Sequence, residues 1–242
     1  MHHVVLDRWS RGASALHRRD ARAKTLAVLV FLIALATAQR SFLALSACYF
    51  VILAAVVVAA GLPLGSALKR ASAVLPFTAV FAIISLAGGE PMRAASLIAK
   101  SYLSALAVLI LVSTTPLPEL LRGLERMGVP RYLLMVTQFL YRYLFVISEE
   151  AQHMRAAAQA KSGSIRVLFN RSTFGAAAGA LGVLFARSYG HAEGIHQAML
   201  ARGFQGTFRT LAARAFNKAD AAFVMAALMV LVGARAAVEA WI

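Results

Sequence analysis

Residues 41–60 read SFLALSACYFVILAAVVVAA, twenty residues without a charge. As an α-helix this stretch is about 30 Å long, the thickness of a bilayer's hydrocarbon core. It is the most secure membrane span in the chain. The surrounding composition agrees. The 242 residues are 60% hydrophobic and only 14% charged, with a mean hydropathy of +0.71, well above that of a water-facing globule. A soluble single domain is not expected. The one cysteine, Cys48, falls inside the span, which leaves no intramolecular disulfide or cysteine metal cluster and makes it a packing residue.

Working outward from the span, Gly61, Pro63 and Gly65 break it, and Lys69 with Arg70 marks a return to the cytoplasmic side. Upstream, Thr25–Gln39 is a second apolar run. Six basic residues precede it between Met1 and Lys24, so the positive-inside rule puts the N-terminus in the cytoplasm. Ala34–Ala38 reads ALATA and mimics a signal-peptide cleavage site. The run leads directly into the next span, however, so it is read as a retained first anchor. Downstream, Ala71–Gly89 forms a third span, kinked at Pro76. An outer loop with Glu90, Pro91 and Arg93 leads to a fourth at Ala95–Thr115, where Lys100 snorkels toward the headgroups. Ala221–Val232 closes the chain as a fifth span, with Arg235 and Glu239 outside.

The expected fold is all-α, a polytopic bundle of about five transmembrane helices with cytoplasmic coupling helices. Its organisation is 1–24 cytoplasmic, 25–115 four membrane helices, 116–218 cytoplasmic or interfacial, and 219–242 a last membrane helix. The section from Pro116 to Lys218 carries thirteen of the twenty-five basic residues. Within it Tyr132–Tyr141 is apolar, but Arg131 and Arg142 bracket only ten residues, about 15 Å of helix. A central Arg costs at least about 2.5 kcal/mol to insert, so one long helix over Arg131–Gln159 is expected, its charged end in water. Ser172–Ala186 holds fifteen uncharged residues with Gly175, Gly179 and Gly182 at close-approach spacing. It is placed against other helices at the inner surface, with a sixth span left open.

The net charge of +15 and pI near 11.2 would indicate nucleic acid in a soluble chain. Beside long apolar runs they are topology charge, and no nucleic-acid partner is expected. The chain has no Walker A pattern, no HExxH and no paired intramembrane carboxylates, and its ten acidic residues are assigned to segment ends or loops. Catalysis on this polypeptide is therefore not expected. The histidines do not form a chelate pattern either. His191 and His196 are five apart, which is off-face on a helix, and His2-His3 is a terminal pair.

Three motifs carry a resemblance. Leu16-His17-Arg18-Arg19-Asp20-Ala21-Arg22-Ala23-Lys24 precedes the first span. Thr114-Thr115-Pro116 runs through Glu119, Leu120, Gly123 and Leu124 to Gly128-Val129-Pro130. There Pro116 and Pro118 open a short amphipathic helix that Gly128 and Pro130 close, with Leu120, Leu121, Leu124 and Met127 on its apolar side. Gln197-Ala198-Met199-Leu200-Ala201-Arg202-Gly203-Phe204-Gln205-Gly206 is the third and most specific. Together they resemble the CbiQ/EcfT family, the transmembrane component of energy-coupling-factor importers, over most of the chain. The family patterns are LHxLDPRxK at the first motif, where Arg19 and Ala21 here replace its second Leu and its Pro, and AMxARGFxG at the third, which is matched throughout.

In that family an Ala-Arg-Gly motif ends a coupling helix seated on a cytosolic ATP-binding-cassette ATPase. The resemblance thus implies ATPase-coupling roles for Ala201, Arg202 and Gly203. The upstream copy falls on Ala160, Lys161 and Ser162, where Lys keeps the charge but not the planar fork; Arg155 or Arg166 are the other candidate anchors. About forty residues separate the copies, enough for a helical hairpin with both tips on an ATPase dimer. The resemblance also implies a CbiM-like substrate-binding membrane subunit, a small CbiN-like accessory subunit, and ATP used by the partners rather than by this chain. The segment Leu6-Asp7-Arg8-Trp9 followed by Ser14-Ala15-Leu16-His17 looks nearer the cobalt or nickel branch, in an inner membrane. A shared component of a vitamin importer, and a membrane enzyme or lipid-surface protein without an ATPase, are the alternatives.

Overall fold

The computed structural model describes residues 9, 10, 12, 14–38, 42–162, 171–205 and 216–240. The chain is helical almost throughout and has no strand among the described residues. We label the helices α1 (Ala21–Ala36), α2 (Phe42–Ala59), α3 (Leu64–Ala71), α4 (Leu75–Ala87), α5 (Pro91–Thr114), α6 (Leu117–Arg126), α7 (Arg131–Ser162), α8 (Arg171–Ala201) and α9 (Lys218–Ala240). They divide into two compact units: Met1–Gly128 with Ala212–Ile242, and Val129–Leu211.

In the first unit α5 is the central helix, packed against α1, α2, α3 and α4, while α9 lies on α1 and α2. Leu45, Tyr49, Leu53 and Val57 recur every four residues and form one buried stripe on α2. They meet Phe31 and Leu35 of α1 and Leu103, Leu106 and Ile110 of α5, with the Phe31 and Tyr49 rings edge-on at 5.4 Å. The outward faces are equally apolar. Phe77, Ile83, Ile84, Met229 and Val232 are all more than half exposed, as lipid-facing side chains are. Leu64–Ala87, Pro91–Thr114 and Lys218–Val238 are long and apolar enough to cross a membrane, and Ala44–Ala59 is a shorter apolar helix. The chain is a polytopic, all-α membrane protein.

Pro76 falls where the Leu64–Ala87 run changes course: a 3₁₀ turn at Ser72–Val74 precedes it, and Pro76 lies in the first turn of α4. Local chemistry departs from expectation at two places in this unit. Pro91 and Arg93 belong to the first turn of α5 rather than to a loop, because Pro is well suited to open a helix. Lys100 does not snorkel. Its ammonium donates to the carbonyls of Ala38 (2.8 Å) and Ala36 (3.3 Å), which the end of α1 leaves without helical partners.

The second unit holds α7 and α8, 32 and 31 residues long. Each is therefore somewhat over 45 Å long. Arg131–Ser162 is one helix, as expected, and Arg142 is carried along it beside the Tyr143 ring. The two helices meet where Tyr143 stands edge-on to His191 at 6.3 Å and Arg187 pairs with Glu150. These pairings run in opposite directions along the two helices, so the contact is antiparallel. A cavity of about 660 Å³ lies beside it, lined by Phe139, Val146, Ile147, Ile195 and Met199 among others. The expected packing on Gly175, Gly179 and Gly182 is not formed among the described residues of this unit. A Cβ at any of them would meet nothing within 4 Å, since α8 touches α7 through its later half. Glu149, Glu150 and Glu193 lie inside these helices rather than at segment ends.

Candidate functional site

Two constructions stand out, one in each unit, and both fall on the sequence motifs. The first is built around Arg19–Lys24. Asp20 caps α1 by accepting the Arg22 N–H at 2.8 Å, and the Arg22 guanidinium returns to the same carboxylate at 3.1 and 3.3 Å. Burial pushes the Asp20 carboxyl up, but these hydrogen bonds and the charges of Arg22 and Arg126 outweigh it and hold the group below its usual range. Ala21 takes the first helical position, where a Pro would also fit.

Lys24 is only 3% exposed, and its ammonium donates to the Thr114 carbonyl at 2.8 Å. That carbonyl lies in the last turn of α5, where helical partners run out and the dipole is negative. Burial pushes Lys24 down to about 8, and the charges of Glu119 and Asp20 pull the other way. Directly after α5, Pro116 and Pro118 start α6, as the spacing predicts, and Met127 and Gly128 follow its end. Leu121 and Gly123 are buried, while Met127 is exposed. A Cβ on Gly123 would come within 3.2 Å of the Ala21 Cβ and 3.4 Å of the Arg22 nitrogen, so the helices approach closely here.

The same residues hold the start of α9. Asp220, 1% exposed, accepts the Asn217 N–H at 3.2 Å in a capping-box arrangement and the Asp20 N–H at 3.3 Å. Arg19 donates to the Ala219 carbonyl at 3.0 Å, and the Arg22 guanidinium lies 5.3 Å from the Phe216 ring. Asp220 lies outside the three motifs. Its signal was the Asn-x-x-Asp spacing immediately before the last apolar run. Upstream, His17 bonds Ser14 (2.6 Å) and the Trp9 carbonyl (2.9 Å), and Arg70 sits over the Trp9 ring at 4.2 Å.

The second construction is the end of α8. The Phe204 N–H bonds the Met199 carbonyl at 3.0 Å and the Gly203 N–H bonds that of Leu200 at 2.9 Å, with Gly203 at φ +73°. This is a Schellman cap, with half-buried Phe204 and Met199 in the positions whose side chains accompany it. Gly203 is required because an L side chain is strained in that conformation. The cap fixes Arg202 as the exposed residue that ends the helix, with its cation at the negative end of the helix dipole.

Ala160, Lys161 and Ser162 are the last three residues of α7. The side chains of Lys161 and Ser162, together with Arg166, Gly206 and the segment Leu6-Asp7-Arg8, lie outside the described residues. Arg155 is exposed on α7. Lys161 is eleven residues beyond Glu150 and Arg202 eleven beyond His191, so each lies about 16 Å along its helix past the contact. Because the contact is antiparallel they lie on opposite sides of it, rather than side by side at one hairpin tip. Among the described residues, no three His, Cys, Asp or Glu side chains converge as metal ligands.

An outward-apolar bundle gathered on one polar clasp, with a long helix pair bearing a capped arginine, defines the class as a multi-pass helical membrane protein. The family model described as cobalt transport protein matches residues 12–212, and the chain belongs to that family, CbiQ. It is 33% identical over 132 residues to the cobalt transport protein CbiQ of Rhodobacter capsulatus, covering 54% of this chain and 52% of that protein. Two uncharacterized proteins of Methanocaldococcus jannaschii match at 27% over 124 residues and 29% over 105. These alignments cover 51% and 43% of this chain, and 41% and 38% of those proteins. The chain thus spans about half the length, or less, of the curated relatives it matches.

Proposed function

We propose that this chain is the non-catalytic transmembrane scaffold of an ATP-driven importer of the energy-coupling-factor type. The observation that carries the reading is Arg202, exposed at the rigidly capped end of a 31-residue helix in the most specific of the three motifs. Arg202 reaches acidic residues of a cytosolic ATP-binding-cassette ATPase, and Ala201 and Gly203 let the two backbones approach. Lys161, at the end of α7, is the second anchor. A charged hydrogen bond contributes about 1.5–3 kcal/mol, while driving a two-state switch fully takes about 5.5 kcal/mol of differential binding, so two anchors are needed. Anchors on opposite sides of the helix contact suit two subunits of an ATPase dimer. Closure of that dimer moves both helix ends, and the apolar faces of α7 and α8 pass the motion to a substrate-binding membrane subunit.

The substrate class is a divalent metal ion, cobalt or nickel, supported by the likeness to the cobalt transport family and to the Rhodobacter cobalt transport protein. The N-terminus is cytoplasmic and the membrane is the inner one. In support, Arg18, Arg19, Arg22 and Lys24 precede or open α1, and Arg70 and Arg126 come to the same end of the unit. The experiment is purification in mild detergent followed by mass spectrometry and metal analysis. The reading predicts two nucleotide-binding subunits, a small membrane subunit and bound cobalt or nickel. Salt-sensitive attachment to anionic liposomes with no ATPase would overturn it in favour of a lipid-surface protein.

A further inference from the structure

Both covalent connections between the two units meet the first unit at one place. The chain leaves it after α6 and comes back at Ala212, shortly before Phe216 and Asn217, the first residues described on that side. Six consecutive residues, Arg19–Lys24, touch both sides. On the outgoing side Lys24 holds the Thr114 carbonyl, and Ala21 and Arg22 receive Gly123 of α6. On the returning side Asp20 bonds Asp220, Arg19 bonds the Ala219 carbonyl, and Arg22 covers the Phe216 ring. A buried cation is costly where a Met or Leu would pack as well, so Lys24 is not explained by filling space. What it adds is a tie between α1 and the helix end from which α6 departs.

We propose that Arg19–Lys24 form a rigid clasp that braces both of the first unit's chain connections to α7 and α8, with Lys24 and Asp220 as positioning residues for transport. The proposal rests on the reading of α8 as a coupling helix. The chain that carries Arg202 rejoins the first unit ahead of Phe216, and α7 follows directly on the end of α6. Both are braced on the same turn of α1. If the brace holds, ATPase motion becomes helix motion in the bundle; if it yields, the motion is lost in the connections.

The test uses the full complex in proteoliposomes, reading ATP hydrolysis and Co2+ uptake separately. In Lys24→Met the complex assembles and hydrolyses ATP within about twofold of wild type, while uptake per ATP falls about tenfold or more, the order expected when a charged hydrogen bond is lost. A variant that merely folded less well would lower both rates together. Asp220→Ala, which removes the acceptor of both the Asp20 and the Asn217 N–H groups, serves if Lys24→Met does not assemble, with the same expectation. In a Cys48→Ser background, Ala21→Cys with Gly123→Cys locks the clasp. An ideal Cβ at 123 is 3.2 Å from that of Ala21, a few tenths short of disulfide geometry. Closing this bond leaves uptake per ATP unchanged if the clasp is rigid.

An unchanged ratio in Lys24→Met, or a ratio that falls on closing the disulfide and returns on reduction, overturns the proposal. A wild-type chain that recruits no ATPase defeats the reading of α8 instead. In that case the clasp is tested in the chain alone. Amide exchange in Lys24→Met accelerates together at 114–121 and 216–221 if Arg19–Lys24 brace both connections, and acceleration of one segment only overturns the joint brace.

Discussion

Gly203→Ala is the most informative single change at the coupling end. Gly203 sits at φ +73°, with its N–H on the Leu200 carbonyl and the next N–H on Met199. An alanine in the left-handed region costs about 1–2 kcal/mol, which corresponds to a roughly 5- to 30-fold rise in opening of the last turn. Nothing lies within 4 Å of a Cβ at this position, so the cost is conformational and not a clash within the chain. The assay is amide exchange at residues 202–204 in the full chain, beside the affinity for the ATPase partner. Exchange accelerates by that factor, and affinity falls by no more than it, since only the ordered end binds. Gly203→Asn recovers part of both, because Asn tolerates the conformation. A collapse of affinity with exchange unchanged would refute the reasoning: Gly203 would then serve by contact with the partner and not by ordering Arg202.

Lys24 makes stability depend on alkaline pH. Its folded value near 8 lies below the usual 10.5, so between these pH values the unfolded state holds a proton that the folded state has released, and stability rises with pH. The gain approaches about 3 kcal/mol, is absent below pH 8 and is complete above 10.5. Thermal unfolding in detergent at pH 7.5 and pH 10 reads it as a rise in Tm relative to Lys24→Met; parallel pH profiles would contradict the burial of a cation. Gly123→Val forces a branched side chain onto Ala21 and the Arg22 backbone. It is expected to lower stability by about 1–3 kcal/mol, read in the same unfolding assay, whereas Gly65→Val, which meets nothing nearby, lacks that clash.

The helices were legible because a bilayer demands long uncharged runs, as residues 41–60 and Ala221–Val232 are; the structure makes a membrane-length helix of the second and a shorter apolar helix, Ala44–Ala59, of the first. The two-proline start of α6 and the length of α7 were equally readable, from turn chemistry and from Arg142. What composition could not carry was where polar side chains end up. Lys100 and Lys24 look alike in sequence, each a cation beside an apolar run. One caps the end of α1 and the other is buried on the Thr114 carbonyl, because the partner is supplied by a distant helix. Asp220 was passed over for the same reason, since its partner Asp20 is two hundred residues away. The glycines of Ser172–Ala186 are the opposite case: their spacing permits close packing, but among the described residues it meets no neighbour. At α8 the Arg-Gly-Phe order was recognisable as a motif, but its meaning as a Schellman cap that orders Arg202 came only from the hydrogen bonds.

The central claim is that Arg202 is a docking point for an ATPase, and charge reversal addresses it directly. Arg202→Glu leaves the cap intact, because the backbone bonds of 202–204 do not use the side chain. Replacing a charged hydrogen bond worth about 1.5–3 kcal/mol by repulsion lowers ATPase affinity at least about tenfold. Co-purification of the ATPase and metal uptake both fall, while the Tm of the isolated chain stays within a few degrees of wild type. Undiminished co-purification together with undiminished uptake would contradict the assignment.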